Sequence, residues 1–263
     1  MLIRPDDLLL AVRNEGRAVR ATKPRASSLG HCIRQQMYAM AAATPSGKAD
    51  PVGAFTAEQG RHMESLVELG LNRLGWEIEG QQDSLPEGYV VSGHPDGILV
   101  RSGQRVALLE QKHVGLWRYI DIYRKGLYAA QPGYLIQSLL YADALQMPTI
   151  VFIVTAQDSG AVRTEMKKNE KAKPENRWVG PDFNPKMQVI EFATDEFDWL
   201  LGAAKNRAEW ITEAVDRGVT ADEVVREADP ERDNFPCGYC DWQERCQQAG
   251  RGVVEGIGGP WIK

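Results

Sequence analysis

Residues 93–112 read GHPDGILVRSGQRVALLEQK, and this stretch constrains the fold more than any other. Two strand-like runs, about Asp96 to Val100 and Arg105 to Gln111, flank Ser102-Gly103, a two-residue pair suited to a tight hairpin. Leu108 and Leu109 lead directly into Glu110-Gln111-Lys112, so the second arm leaves an apolar interior rather than a uniformly polar edge. A chain built on such a hairpin has a sheet at its centre.

The remaining pattern supplies the helices and further strands. Met63, Leu66, Val67, Leu71 and Leu74 recur at helical spacing, which predicts a helix from about Phe55 to Leu74 ended by Gly75. A strand is expected near Tyr89 to Ser92. Past the hairpin, a helix is expected from about Trp117, and another opens at Pro132 and runs through Gln137 and Tyr141 to about Gln146. Ile150 to Thr155 and Met187 to Phe192 read as strands, followed by a long helix from about Asp195 to Asp216 and a short one from about Ala221 to Ala228. No internal repeat or Pro/Gly linker divides the chain. The expectation is one α/β domain over residues 1–250, with a flexible Gly-rich tail over 251–263.

Charge is unevenly distributed. The chain carries 31 Lys plus Arg against 36 Asp plus Glu, which argues against indiscriminate nucleic-acid binding. Residues 1–34 nevertheless hold seven basic and three acidic side chains, while residues 191–233 hold five and thirteen. Residues 159–188 form a second basic stretch, seven against four, read as an insertion. It is either a solvated loop or a phosphate-contacting flap in which Trp178 and Phe183 stack on bases. The strongest apolar run is far too short to span a bilayer, and the opening MLIRPDD carries charge where a signal peptide is apolar, so the expected location is the cytoplasm.

Glu110 and Lys112 lie two apart on one strand, so their side chains share a face, and hairpin pairing brings Asp96 beside them. An E-x-K on a strand is usually an exposed ion pair. Here, two carboxylates and an ammonium converging from an apolar strand suit Mg2+ or Mn2+, with the lysine orienting or deprotonating an attacking water. Such a site hydrolyses phosphodiesters.

With Pro95-Asp96 and Glu110-Gln111-Lys112, the chain resembles the PD-(D/E)xK nuclease superfamily. Gln137 and Tyr141 match the Q-x-x-x-Y of its RecB-like branch, and Gly60 with Glu64 matches the upstream G-x-x-x-E. The resemblance implies a restriction-endonuclease-like mixed sheet flanked by helices. It also implies metal held by Asp96, Glu110, the Gln111 backbone carbonyl and Glu64 or His62, and a Gln137–Tyr141 pair that contacts DNA and supports the site. Glu64 and His62 lie about 200° apart around a helix, so only one of them can face the site. His94 and His113 flank the motif and read as hydrogen-bonded neighbours; after the lysine the family more often has a small hydroxyl residue.

Cys237, Cys240 and Cys246 form a C-x2-C-x5-C cluster, and the fourth cysteine is the distant Cys32. Four thiolates suit zinc or a 4Fe-4S cluster, and composition does not separate them. The arrangement resembles the iron-sulfur RecB-like nucleases, which include the small CRISPR-adaptation exonuclease family and the AddB nuclease domain. Ser28, Cys32 and Arg34 match the S-x-x-x-C-x-R entry of that group. The resemblance implies a 4Fe-4S clasp joining the N- and C-terminal helical parts. It must offset a length-dependent closure entropy of about 5 kcal/mol.

These features together lead to the expectation of a metal-dependent DNA exonuclease acting on single strands or ends, in recombination, repair or spacer processing and with a recombination or CRISPR-adaptation protein as a possible partner. The alternative is a noncatalytic nucleic-acid-binding scaffold subunit with a structural metal site.

Overall fold

In a computed structural model of the chain, the described residues are 22–43, 51–180, 182–227, 240 and 242–257. A five-stranded sheet runs through the middle: β1 (Glu77–Glu79), β2 (Gly97–Arg101), β3 (Gln104–Val114), β4 (Thr149–Ala156) and β5 (Met187–Ala193), paired in that order. β1, β2 and β3 are antiparallel, β3 and β4 parallel, and β4 and β5 antiparallel. The sheet is therefore mixed, as expected. Ser102 and Gly103 both adopt positive φ, 52° and 74°, the conformation that joins two strands in a tight hairpin without splaying them.

Parallel pairing of β3 with β4 requires a crossover, and helices supply it: α4 (Leu116–Lys125), α5 (Leu127–Ala130) and α6 (Pro132–Ala144). They follow α1 (Ala26–Leu29), α2 (Ile33–Met40) and α3 (Pro51–Arg73), and precede α7 (Ser159–Glu170), α8 (Asp198–Asp216) and α9 (Gln243–Ala249). From Leu135 to Ala142 every residue of α6 is buried, because α6 lies on the sheet and is itself covered by α1 and α8.

Strand alternation sends residues of β3 to two different layers. Leu108 and Val114 join the main core with Phe152, Val154 and the α6 residues. Leu109 faces the other way and packs with Leu99, Ile153 and Val67 of α3. Glu110 and Lys112 therefore belong to the α6 layer and Gln111 to the α3 layer.

The two ends of the described chain meet at two buried arginines. Arg34 of α2 donates to the Val224 carbonyl at 2.6 Å, the Asp222 carbonyl at 3.1 Å and Cys246 Sγ at 3.3 Å. Arg207 of α8 holds both carboxylate oxygens of Glu227 at 2.6 Å and donates to the His31 and Ile257 carbonyls. Trp242 stacks on Tyr38 with centroids 5.9 Å apart and donates to the Ala43 carbonyl.

Several expectations are corrected. Residues 89–92 form bends, with Ser92 in a single bridge to Arg25, and the edge strand is the shorter β1. Residues 221–227 form turns rather than a helix, because Val224 bridges Val254. That contact also lays part of the expected flexible tail against the fold. The basic stretch 159–188 begins as α7, capped by Asp158, whose carboxylate accepts the Ala161 N–H at 2.8 Å. Trp178 and Phe183 pack edge-on with Tyr123 and each other instead of presenting stacking faces. Cys237 lies outside the described residues. Cys32, Cys240 and Cys246 form no metal-binding group among the described residues; there the N- and C-terminal parts are joined by the Arg34 and Arg207 hydrogen bonds. No described helix is long and apolar enough to cross a membrane.

α1 and α6 approach so closely that a Cβ on Gly30 would lie 2.5 Å from the Gly133 Cα, whereas one on Gly70 of α3 would meet nothing. Gly30→Ala is expected to lower the free energy of urea unfolding by about 1–3 kcal/mol. Gly70→Ala is expected to raise it by up to about 1 kcal/mol. Equal stabilities of the two variants would contradict this packing.

Candidate active site

The hairpin and α6 assemble the site from opposite sides. Asp96 immediately precedes β2, and its Oδ2 accepts the backbone N–H of Gln111 at 2.6 Å, which ties the first arm to the motif in the second. Gly97 follows with φ 148°, and a Cβ there would meet Ile78 Cγ2 of β1 at 2.4 Å. Glycine thus lets the edge strand close over the residue after Asp96.

Glu110 is fully buried. Its Oε1 accepts hydrogen bonds from Lys112 Nζ and from Gln137 Nε2, the latter at 2.8 Å. Oε2 is buried without a hydrogen-bond partner among the described residues. Burial pushes the Glu110 carboxyl up to about 8, against the pull of Lys112 and with a further push from Asp96. Asp96 is likewise raised by burial, with Lys112 and the Gln111 amide opposing. Burial alone would lower the Lys112 ammonium, but Glu110 and Asp96 outweigh it and hold the group firmly charged.

Gln137 and Tyr141 occupy one face of α6. Both are buried, and Gln137 Nε2 donates to the Glu110 carboxylate. Tyr141 packs against Gly93, where a Cβ would fall 2.5 Å from its hydroxyl oxygen, and so pins the loop that leads to Asp96. Its hydroxyl is pushed up to about 12 by burial and then by Glu110.

Glu64 lines a shallow pocket with Gly60, Met63, Gln111, Lys112 and His113. Its carboxyl is raised by burial and then by Asp96, with Lys112 opposing. His62 does not reach the site: its side chain is 81% exposed and stands 4.0 Å from Glu58. The rotation of α3 therefore places Glu64, not His62, beside the motif. Gln111 reaches the site through its backbone, while its carboxamide is buried on the α3 side without a hydrogen-bond partner among the described residues. His94 bonds the Gln82 carbonyl and His113 the Thr155 hydroxyl, each at 2.9 Å.

One site residue escapes the motif reading. Tyr134 lies three residues before Gln137 on the same helix face, and Lys112 Nζ stands 5.7 Å from its ring centroid. That spacing was the available signal.

The donor chemistry fits a hard divalent cation. The carboxylates of Asp96, Glu110 and Glu64 are hard oxygen donors, Glu110 Oε2 has no hydrogen-bond partner among the described residues, and burial and then a neighbouring carboxylate disfavour the charged forms of Glu110 and Glu64. Among the described residues no three His, Cys, Asp or Glu side chains stand as a metal-binding group.

No protein-family model matches this chain. No curated protein matches it either. Among solved structures, it is similar to the crystal structure of an alkaline exonuclease, LHK-Exo, from Laribacter hongkongensis, at 13% identity and TM-score 0.42, covering 76% of this chain and 94% of that one. A crystal structure of LHK-Exo in complex with dAMP matches at 14% identity and TM-score 0.43, covering 76% and 95%.

The raised Glu110 carboxyl gives a signed pH dependence. Unfolded, the group titrates near its ordinary 4.5; folded and cation-free, it keeps its proton to about 8. The folded state therefore loses stability as pH rises between those values, by at most about 1.4 kcal/mol per pH unit, and by less because Lys112 and Glu110 titrate together. The melting temperature of Glu110→Gln, measured with chelator present, is expected to gain on wild type steadily from pH 5 to pH 8. A difference independent of pH contradicts the assignment.

Proposed function

We propose that this protein is a divalent-metal-dependent deoxyribonuclease that hydrolyses phosphodiester bonds, acting as an exonuclease on single strands or ends of DNA. The observation that carries the reading is the buried Glu110, bonded to Lys112 and Gln137 and standing beside Asp96. An exposed structural ion pair would not be sunk beneath a helix with one carboxylate oxygen left unsatisfied.

Asp96, Glu110 and Glu64, with the Gln111 backbone carbonyl, would hold Mg2+ or Mn2+. When bound, the ion supplies Lewis-acid polarisation of the phosphate and acidifies a coordinated water. Lys112 orients the attacking water and offsets negative charge developing on the phosphate. Gln137 keeps Glu110 in place, and Tyr141 holds the Asp96 loop.

We also propose that Cys32, Cys237, Cys240 and Cys246 bind a 4Fe-4S cluster that reinforces the junction of the chain's ends. Cys246 Sγ accepts a hydrogen bond from Arg34, which lies two residues after Cys32 in the chain, so the C-terminal thiol is held against the segment that bears Cys32. Burial and then Glu227 raise the Cys32 thiol, while amides at the start of α2 oppose them. The cluster has a structural part and no part in hydrolysis.

Lys112→Ala is expected to lose at least about a hundredfold in Mn2+-dependent degradation of end-labelled DNA, with its circular-dichroism spectrum unchanged. Wild-type activity in that variant would refute the nuclease reading. DNA binding without hydrolysis by the wild type would favour a scaffold subunit. Anaerobically purified protein is expected to contain iron and acid-labile sulfide in equal amounts, both lost in Cys246→Ser; zinc without sulfide would refute the cluster.

A further inference from the structure

The first turn of α4 leaves two chemically complementary side chains in solvent. Trp117 is 65% exposed, although a large aromatic side chain normally finds cover. Arg118, the next residue, is also exposed, and no carboxylate pairs with it among the described residues. The acid one turn on, Asp121, is engaged with Lys125 at 3.0 Å.

Arg118 is tied to the candidate active site through Tyr134. Its Nη1 donates to the Tyr134 hydroxyl at 3.0 Å, and its guanidinium stands 5.9 Å from the same ring that lies 5.7 Å from Lys112 Nζ. One ring thus carries both the site lysine and the Arg118 guanidinium. The charge is felt further along the surface: His31 is held below its ordinary value first by burial and then by Arg118. Successive helix residues diverge by about 100°, so Trp117 and Arg118 present adjacent sectors rather than competing for one space.

From this juxtaposition we infer that α4 carries a single-strand subsite, in which Arg118 holds a backbone phosphate next to the one being cut and Trp117 stacks on an unpaired base. A guanidinium free of carboxylates beside a charged lysine favours a polyanion, and an exposed indole offers a face that any unpaired base can use. In a duplex the bases are stacked on one another, so only a single strand or a frayed end satisfies both side chains. The inference rests on the nuclease reading and assigns that site its substrate form.

The test is binding of a fluorescein-labelled oligothymidylate of about twelve nucleotides to the full, anaerobically purified protein, with Ca2+ replacing the supporting cation. Trp117→Ala is expected to weaken binding about tenfold with its salt dependence unchanged, and Trp117→Tyr to restore most of it. Arg118→Ala is expected to weaken binding and to lower the slope of log affinity against log salt by about 0.7, while Arg118→Lys keeps the slope. Both side chains are exposed, so thermal melting should not move. Wild-type affinity and slope in both alanine variants, with DNA degradation intact, would overturn the subsite and leave the nuclease reading standing. A wild type that cuts duplex DNA but does not bind the oligonucleotide would do the same. A wild type that neither cuts nor binds DNA would overturn both.

Discussion

The carboxyl group of Glu110 is fully buried, and the architecture around it answers that burden. Its first oxygen is satisfied by Lys112 from the same strand and Gln137 from α6, while its second has no hydrogen-bond partner among the described residues. Burying a charge is costly unless it is paired and hydrogen-bonded, and a half-satisfied carboxylate keeps part of that cost. Lys112 is held protonated in return. Burial therefore favours the protonated form of Glu110, and the burden of the site lies in charge rather than in backbone.

The rest of the fold keeps this arrangement in register. The β2–β3 hairpin delivers Asp96 to the Gln111 amide, the β3–β4 parallel pairing makes the crossover necessary, and the crossover delivers α6 with Gln137, Tyr141 and Tyr134 on one face. α6 in turn is pressed from behind by α1 at the Gly30–Gly133 approach. From there α1 and α2 lead into the Arg34 and Arg207 junction, so the packing that joins the two ends of the described residues is continuous with the packing behind the site. Two fully buried arginines are costly to place, and their carbonyl and carboxylate partners, spread over four separate segments, explain why they persist.

What was legible in the sequence follows the range of the forces involved. The hairpin could be read because Ser102-Gly103 and a period of two are local signals, and the shared face of Glu110 and Lys112 follows from that period alone. The Q-x-x-x-Y spacing located one face of α6, yet not that both residues would be buried, since burial depends on α1 and α8 lying above. Glu64 and His62 could not be separated until the rotation of α3 was known. β1 is too short to show a period, and α7 was hidden by its charges despite a capping Asp158. Val224 turned away from a helix because of a partner, Val254, thirty residues on. Trp178 and Phe183 were read for their chemistry, but their positions are decided by Tyr119 and Tyr123.

The central claim is that Glu110 is a protonated, incompletely satisfied carboxyl that a divalent cation converts into a ligand. Calorimetric titration of the cation-free protein with Mn2+ at pH 6.5, repeated in buffers of different ionisation enthalpy, measures the protons released on binding. The account predicts saturable binding with a proton released from the Glu110 site, and loss of that proton together with most of the affinity in Glu110→Gln. Mn2+ binding with no proton release, or binding that Glu110→Gln leaves intact, would contradict it.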